Sequence, residues 1–138
     1  MDRAALDAAL ELKVECGGWC PKDRRAEDGI IARKYPLKET SKRDYAQRTE
    51  WNVRDSDATL ILCHGRPQGG TAQTTAFAEV QAKPCLVLDL DQPPDIQAAR
   101  SWLNQSQTSV LNVAGPRESQ SPGIYRQAKA LLLTLLQA

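Results

Sequence analysis

The stretch TLILCHGRPQGGTAQTTAFAEVQAKPCLVLDL, residues 59–90, decides the fold class. It begins with the apolar run 59–63, which predicts a buried strand, and it ends with a second such run, 85–90. Between them, a Gly-Gly-Thr turn at 69–71 precedes a predicted helix over 72–82. Two buried strands joined by a helix are typical of a parallel βαβ unit.

The flanking segments extend this unit in both directions. Helices are predicted over 2–12, 43–55, 95–104 and 123–137, and further strands over 14–16 and 109–114. Alternating helices and near-continuous apolar strands predict an α/β fold, a three-layer Rossmann-like parallel sheet with helices on both faces. The chain starts in a helix where such domains normally start with a strand. We therefore expect either that the first strand is missing or that the chain starts late.

Length and charge limit the possible functions. A chain of 138 residues predicts a single ligand-binding domain over 1–138. The formal net charge of +1 lacks the basic excess of nucleic-acid-binding proteins, so no nucleic acid is expected as a partner. No apolar run approaches the roughly 20 residues of a membrane span, and no secretory signal opens the chain. We therefore expect no membrane contact and a cytoplasmic location.

The cysteines and the single histidine do not form a recognisable metal or catalytic motif. Cys16 and Cys20 are separated by three residues instead of the two of a zinc knuckle. Cys63 and His64 are neighbours in a strand, so their side chains point to opposite faces. No Ser-His-Asp set and no acid–base pair is recognisable. The sequence therefore predicts no protein-bound metal ion and no catalytic residue.

The first candidate site is the turn Gly69-Gly70-Thr71, together with Thr74. In open parallel sheets, ligands bind beyond the carboxyl ends of the strands, where turns lead into helices. Consecutive glycines expose backbone N–H groups, and a helix N-terminus attracts phosphate. The alternative is a flexible turn with an ordinary helix N-cap.

The second candidate site follows the last predicted strand. It supplies Asn112, Gly115, Pro116, Arg117 and Ser119. Gly115 breaks the strand and Pro116 shapes the turn, while Arg117 is suited to clamp a phosphate through two parallel hydrogen bonds. The alternative is a solvent-facing Arg117 paired with Glu118 or another carboxylate.

Two further pairs are candidates with equally plain alternatives. Gly18 and Trp19 follow the predicted strand 14–16, and the indole is suited to stack on a flat ring; a tryptophan here otherwise covers the edge of the core. Arg48 and Asn52 share a helical face and are candidates to line a pocket; otherwise they form a solvated face with a mutual hydrogen bond.

Four blocks carry a family resemblance: VECGGWCPKDRRAEDG (14–29), YAQRTEWNVRDSDATLIL (45–62), GGTAQT (69–74) and LNVAGPRES (111–119). The chain resembles the bacterial putative molybdenum carrier proteins, in the circularly permuted YpsA branch of the Rossmann-like SLOG superfamily. The resemblance implies, as ligand, molybdenum cofactor (a pterin that carries a phosphate) or a nucleotide.

The sequence departs from the related families at two places. Members usually carry a strand and a glycine-rich turn before the block that matches residues 2–7, so part of the phosphate site is expected to be absent. The related phosphoribohydrolases use Gly-Gly-x-Gly-Thr-x-x-Glu, and here Ala72 occupies the position of the glycine after x and Ala76 that of the glutamate. Their hydrolytic chemistry is therefore not carried over.

These observations favour a binding or carrier protein for a phosphate-bearing small molecule. One alternative is an enzyme that hydrolyses or modifies a nucleotide-like substrate, with Asp57, Asp28 or Glu118 as the base. Another is an assembly module whose pocket has degenerated. The sheet edges that a missing strand leaves exposed predict a homo-oligomer.

Overall fold

The computed structural model describes residues 1–26, 29–32, 34–42 and 44–137. In chain order the elements are α1 (Asp2–Leu12), β1 (Trp19–Cys20), a 3-10 turn (Lys22–Arg24), β2 (Arg25–Ala26), β3 (Gly29–Ile30), β4 (Lys38–Glu39), α2 (Tyr45–Arg54), β5 (Ala58–Cys63), α3 (Gly69–Val80), β6 (Cys85–Asp89), α4 (Ile96–Gln105), β7 (Leu111–Ala114) and α5 (Ile124–Leu136).

A parallel sheet in the order β6-β5-β7 forms the middle layer of the described residues. Leu60 of β5 lies opposite Leu86 on one side and Val113 on the other. Every residue of β5 is buried, because α1, α4 and α5 pack on the face that carries Leu60 and Leu62, while α2 and α3 pack together on the opposite face. The predicted three-layer α/β arrangement is confirmed.

One predicted strand does not form, and one predicted helix start is wrong. No strand forms at 14–16: Lys13 adopts a left-handed conformation that ends α1, and the amide of Val14 donates to the carbonyl of Ala9 at 2.8 Å. Residues used to close a helix in this way are not extended. The helix predicted from residue 72 begins at Gly69 instead, since the amides of Thr71 and Ala72 already donate to the carbonyl of Gln68.

The irregular stretch 19–42 is an ordered surface segment where it is described. β1 pairs with β4 in parallel, and β2 pairs with β3 antiparallel. One guanidinium holds the segment together: Arg24 donates hydrogen bonds of 2.9–3.1 Å to the carbonyl oxygens of Ile31, Ala32, Tyr35 and Leu37. The planar fork of arginine suits several carbonyls at once.

The two outer strands leave apolar side chains at the edges of the sheet. Val87 of β6 is 40% exposed, and Val110, just before β7, is 52% exposed. Among the helices of the described residues, none has the length and apolar character that crossing a bilayer requires.

Candidate functional site

A cleft of about 680 Å³ lies where β7 ends and α3 begins, and we call it the main cleft. Its walls come from α1, α2, the first turns of α3, the end of β7 and the turn that follows β7. This position matches the place where open α/β sheets bind ligands. The volume is in the range of small-molecule pockets, roughly 300–1,000 Å³.

Most of the residues singled out in the sequence line the main cleft. They are Arg48, Asn52, Gly70, Thr71, Thr74, Asn112, Gly115 and Arg117. They come from three segments that are far apart in the chain. The tertiary structure therefore brings the α3 turn, the turn after β7 and the face of α2 together.

The remaining candidates lie elsewhere. Gly18 and Trp19 line a second cleft of about 780 Å³, which we call the side cleft; Asn52 contributes to both clefts. Gly69, Pro116 and Ser119 line neither of these two clefts. They remain neighbours of the main cleft in sequence, without forming its wall.

The indole of Trp19 packs against α2 and does not reach the main cleft. Its ring meets Trp51 edge-on with the centroids 4.8 Å apart, and its Nε1 donates to Asp55 at 2.7 Å. Asn52 fastens the same residue, since its side-chain oxygen accepts from the amide of Trp19 at 2.8 Å. The indole thus covers the edge of the packed layer, the alternative stated above.

The cationic side of the main cleft is built around Tyr45. The guanidinium of Arg117 lies 4.5 Å from the centroid of the Tyr45 ring, and that of Arg48 lies 5.7 Å from it. Arg48 also pairs with Asp2 through one terminal nitrogen. Its Nε is buried and has no hydrogen-bond partner among the described residues. Buried donors are nearly always satisfied, so this N–H is a donor whose acceptor the described residues do not supply.

The N-terminus of α3 is open toward the same space. Gln68 precedes the helix in an extended conformation, and its side chain makes no capping hydrogen bond in the described structure. The first N–H groups of a helix have no intrahelical acceptor. A Cβ added to Gly70 would meet nothing within 4 Å, so a ligand can approach the backbone there. In contrast, Asp44 and Asp95 cap α2 and α4 with their carboxylates.

The threonine and asparagine side chains mainly support the walls of the cleft. Thr74 donates its hydroxyl to the carbonyl of Gly70 at 3.0 Å, which is an intrahelical bond. Asn112 donates its amide to the hydroxyl of Thr59 at 3.2 Å and links β7 to β5. Both are suited to hold the strand end and the helix start in place.

Gly115 is required where β7 leaves the sheet. A Cβ at this position would lie 2.1 Å from the carbonyl oxygen of Leu62 and 2.6 Å from the Cε of Met1. No side chain fits in that gap. The close approach directs the following turn, with Arg117, over the end of the sheet and into the main cleft.

An acidic group occupies another part of the main cleft. Asp7 of α1 accepts hydrogen bonds from the hydroxyl of Tyr35, at 2.8 Å, and from that of Tyr125. The hydrogen bond to Asp7 raises the pKa of Tyr125 to about 12. The pKa of Tyr35 is raised mainly by burial, and also by its hydrogen bond to Asp7. Both phenols therefore remain protonated donors at neutral pH.

Of the three carboxylates considered as bases, Glu118 lines the main cleft. Glu118 accepts from the amides of Gly123 and Tyr125, which lowers its pKa and caps α5. Asp57 precedes β5, at the end of the strand opposite to the main cleft, and accepts from the amides of Ser109 and Val110. Asp28 lies outside the described residues. Within the described ranges no three His, Cys, Asp or Glu side chains form a group able to hold a metal ion.

Several residues of the cleft were missed in the sequence, among them Tyr45, Asp7 and Tyr125. Tyr45 lies three residues before Arg48 on α2, so helical spacing was a signal that could have found it. Asp7 and Tyr125 are 118 positions apart, and no local pattern indicates that they meet.

Comparisons with known proteins agree with this architecture. A family model described as the circularly permutated YpsA SLOG family matches residues 1–136. The chain is also similar to the crystal structure of a putative molybdenum carrier protein from Syntrophus aciditrophicus SB, with 46% identity and a TM-score of 0.93. That match covers 99% of this chain and 88% of the other. A comparison with curated proteins gives no match.

Proposed function

The chain belongs to the circularly permuted YpsA family of SLOG proteins, and on that premise we propose that it is a binding or carrier protein for a phosphate-bearing small molecule. The ligand class is molybdenum cofactor or a nucleotide, and the main cleft is its site. The carrier name of the similar crystal structure supports a ligand-binding role.

One observation carries the proposal: two guanidinium groups and an uncapped helix start line the same cleft. Arg48 contributes a buried N–H without a partner among the described residues, and Arg117 adds a second cation. The N-terminus of α3 adds exposed amides and a partial positive charge. Charge-assisted hydrogen bonds of this kind are the usual means of binding phosphate.

The turn at Gly69-Gly70-Thr71 has a smaller part than its sequence suggests. Gly70 and Thr71 line the main cleft, but they belong to the first turn of α3 and not to a free loop. We therefore assign the larger share of phosphate affinity to Arg48 and Arg117. The helix start supplies direction and additional donors.

Replacement of Arg117 by alanine tests this assignment. Loss of a charge-assisted hydrogen bond costs about 1.5–3 kcal/mol, so we expect the Arg117→Ala variant to bind roughly 10- to 150-fold more weakly. The measurement is the rise in melting temperature across a panel of nucleotides and phosphorylated pterins, with native mass spectrometry for retained ligand. Arg126→Ala is the matched control, because Arg126 is exposed and lines neither cleft.

Two results would contradict the proposal. No stabilisation by any nucleotide or pterin, and no retained ligand, would remove the carrier function and favour a degenerate pocket. Release of a base or of phosphate during the assay would instead show an enzyme.

A further inference from the structure

We infer that Asp7 recognises the N–H edge of the ligand's ring, and that the ligand therefore contains a 2-amino-4-oxopyrimidine ring fused in a bicycle, the chemistry shared by guanine and the pterins. The inference rests on the proposed function of the main cleft. It goes further because it selects among phosphorylated heterocycles.

The surroundings of Asp7 suit a flat ring. Asp7 is half-buried and lines the main cleft beside apolar side chains. These are Leu6, Pro21, Ile31 and Leu37. An apolar wall with a small number of placed polar groups is the usual composition of a heterocycle pocket. Within such a wall, the carboxylate is the group that fixes the orientation of the ring.

The carboxylate retains acceptor capacity beyond its two tyrosine partners. An ionised carboxylate has about four lone-pair sites and no donor. Tyr35 donates to one oxygen of Asp7 and Tyr125 donates to the other. Each oxygen thus has one further site, and the pair matches two adjacent N–H groups, as in the parallel bonds between carboxylate and guanidinium.

Asp7 lies further along α1 than the residue that contacts the phosphate-binding arginines. Asp2 pairs with Arg48, and Asp7 follows five residues later in the same helix. Five residues rise by about 7.5 Å along a helix axis. A ligand with the phosphate against the arginines and its ring edge against Asp7 spans the two ends. Arg3, one turn before Asp7, is a further charged residue of the cleft wall.

The three common purines differ at the edge that Asp7 would meet. Guanine presents a ring N–H and a 2-amino group, so both oxygens of the carboxylate receive a donor. Hypoxanthine presents the ring N–H alone. Adenine presents a ring nitrogen lone pair beside its 6-amino group, so one oxygen of the carboxylate faces a lone pair that repels it instead of a donor.

The test compares the binding of GMP, IMP, AMP and neopterin phosphate by isothermal titration calorimetry, with inorganic phosphate as the reference anion. GMP and IMP differ only in the 2-amino group. We expect GMP and the phosphorylated pterin to bind at least about tenfold more tightly than IMP, and AMP to bind more weakly still. Whichever of GMP and the phosphorylated pterin binds more tightly shows whether the ligand is a guanine nucleotide or a pterin.

Variants separate recognition from support of the wall. Asp7→Asn should abolish the preference for GMP over IMP, because the amide presents a donor to one of the two N–H groups. Tyr35→Phe and Tyr125→Phe keep the carboxylate and should keep the preference. If the phenylalanine variants lose the preference for GMP over IMP while Asp7→Asn keeps it, the tyrosines and not Asp7 recognise the ring. That result would overturn the inference.

The unmodified protein is sufficient where Asp7→Asn does not fold. Equal affinities for GMP, IMP and AMP would overturn the role of Asp7 and leave the proposed function standing. Absence of binding for all four organic ligands and for phosphate would overturn both.

Discussion

Two glycines of the main cleft have opposite reasons for lacking a side chain. At Gly115 a Cβ would lie 2.1 Å from the carbonyl oxygen of Leu62, whereas at Gly70 it would meet nothing within 4 Å. In the sequence both appear simply as turn glycines. The first is required by the close approach of the backbone, and the second leaves the backbone accessible.

Replacement of each glycine by alanine should separate these roles. We expect Gly115→Ala to lower the free energy of unfolding by about 1–3 kcal/mol, since the backbone of β5 must move to admit the methyl group. Gly70→Ala should leave the unfolding free energy unchanged within about 0.5 kcal/mol and weaken ligand binding. Urea denaturation measures the first effect and calorimetric titration the second. Equal stability of both variants would contradict the close approach at Gly115.

At the scale of elements, the segment 19–42 depends on one side chain more than on its short strands. The β1–β4 and β2–β3 pairs are two residues long on each strand, and Arg24 joins four carbonyls across the segment. Ile31 and Leu37, which belong to this segment, line the main cleft. The position of that wall therefore depends on Arg24.

Replacement of Arg24 by lysine keeps the charge and removes the planar fork. An ammonium group cannot reach four carbonyls in one plane, so we expect faster amide hydrogen exchange in the segment and a ligand affinity that falls several-fold. Hydrogen exchange followed by mass spectrometry measures the change. Arg126→Lys, on the exposed side of α5, is the control. Unchanged exchange around Ile31 and Leu37 would show that the strand pairs alone are sufficient.

At the scale of the whole molecule, hydrogen-bonded aspartates link separate elements. Their lowered pKa values make the free energy of unfolding depend on pH. Hydrogen bonds from Arg54 and Trp19 lower the pKa of Asp55 to about 2. Backbone amides of Val110 and Ser109 lower the pKa of Asp57, and those of Gly65 and Asp91 lower that of Asp89.

The sign of the pH dependence follows from these directions. A carboxyl group with a folded pKa below its unfolded value of about 3.9 stabilises the fold above that value, and the contribution is lost as the pH falls toward the folded pKa. We expect the unfolding free energy to fall between about pH 4 and 2. Asp55→Asn should remove part of the fall, less than about 1 kcal/mol because the pair is exposed to solvent. Urea titrations at pH 5.5 and pH 3 measure it, and a pH-independent unfolding free energy would contradict it.

The edge strands of the sheet, β6 and β7, are the basis for a prediction about the oligomeric state. We expect a homo-oligomer, because β6 and β7 end the described sheet and expose Val87 and Val110. Light scattering should give a mass above that of one chain, and Val110→Lys should lower it if β7 is the contact. A single-chain mass for the unmodified protein would remove the expectation.

Much of the fold was predictable because its signals are local. The apolar runs of β5 and β6, and the helices that flank them, follow from periodicity and from glycine and proline at their ends. Errors occurred where a neighbouring element changes the local preference. Val14 closes α1 and does not begin a strand, and Gly69 lies inside α3 and not before it.

The sequence by itself determined the α/β class, the elements around residues 59–90, and the arginines and glycines that line the main cleft. Only the tertiary structure decided which of these residues meet. Arg48 and Arg117 converge on Tyr45, Trp19 packs away from them, and Asp7 joins Tyr125 across 118 positions. The physical reason is that secondary structure depends on neighbours in the chain, whereas a cleft depends on how separate helices pack on a sheet.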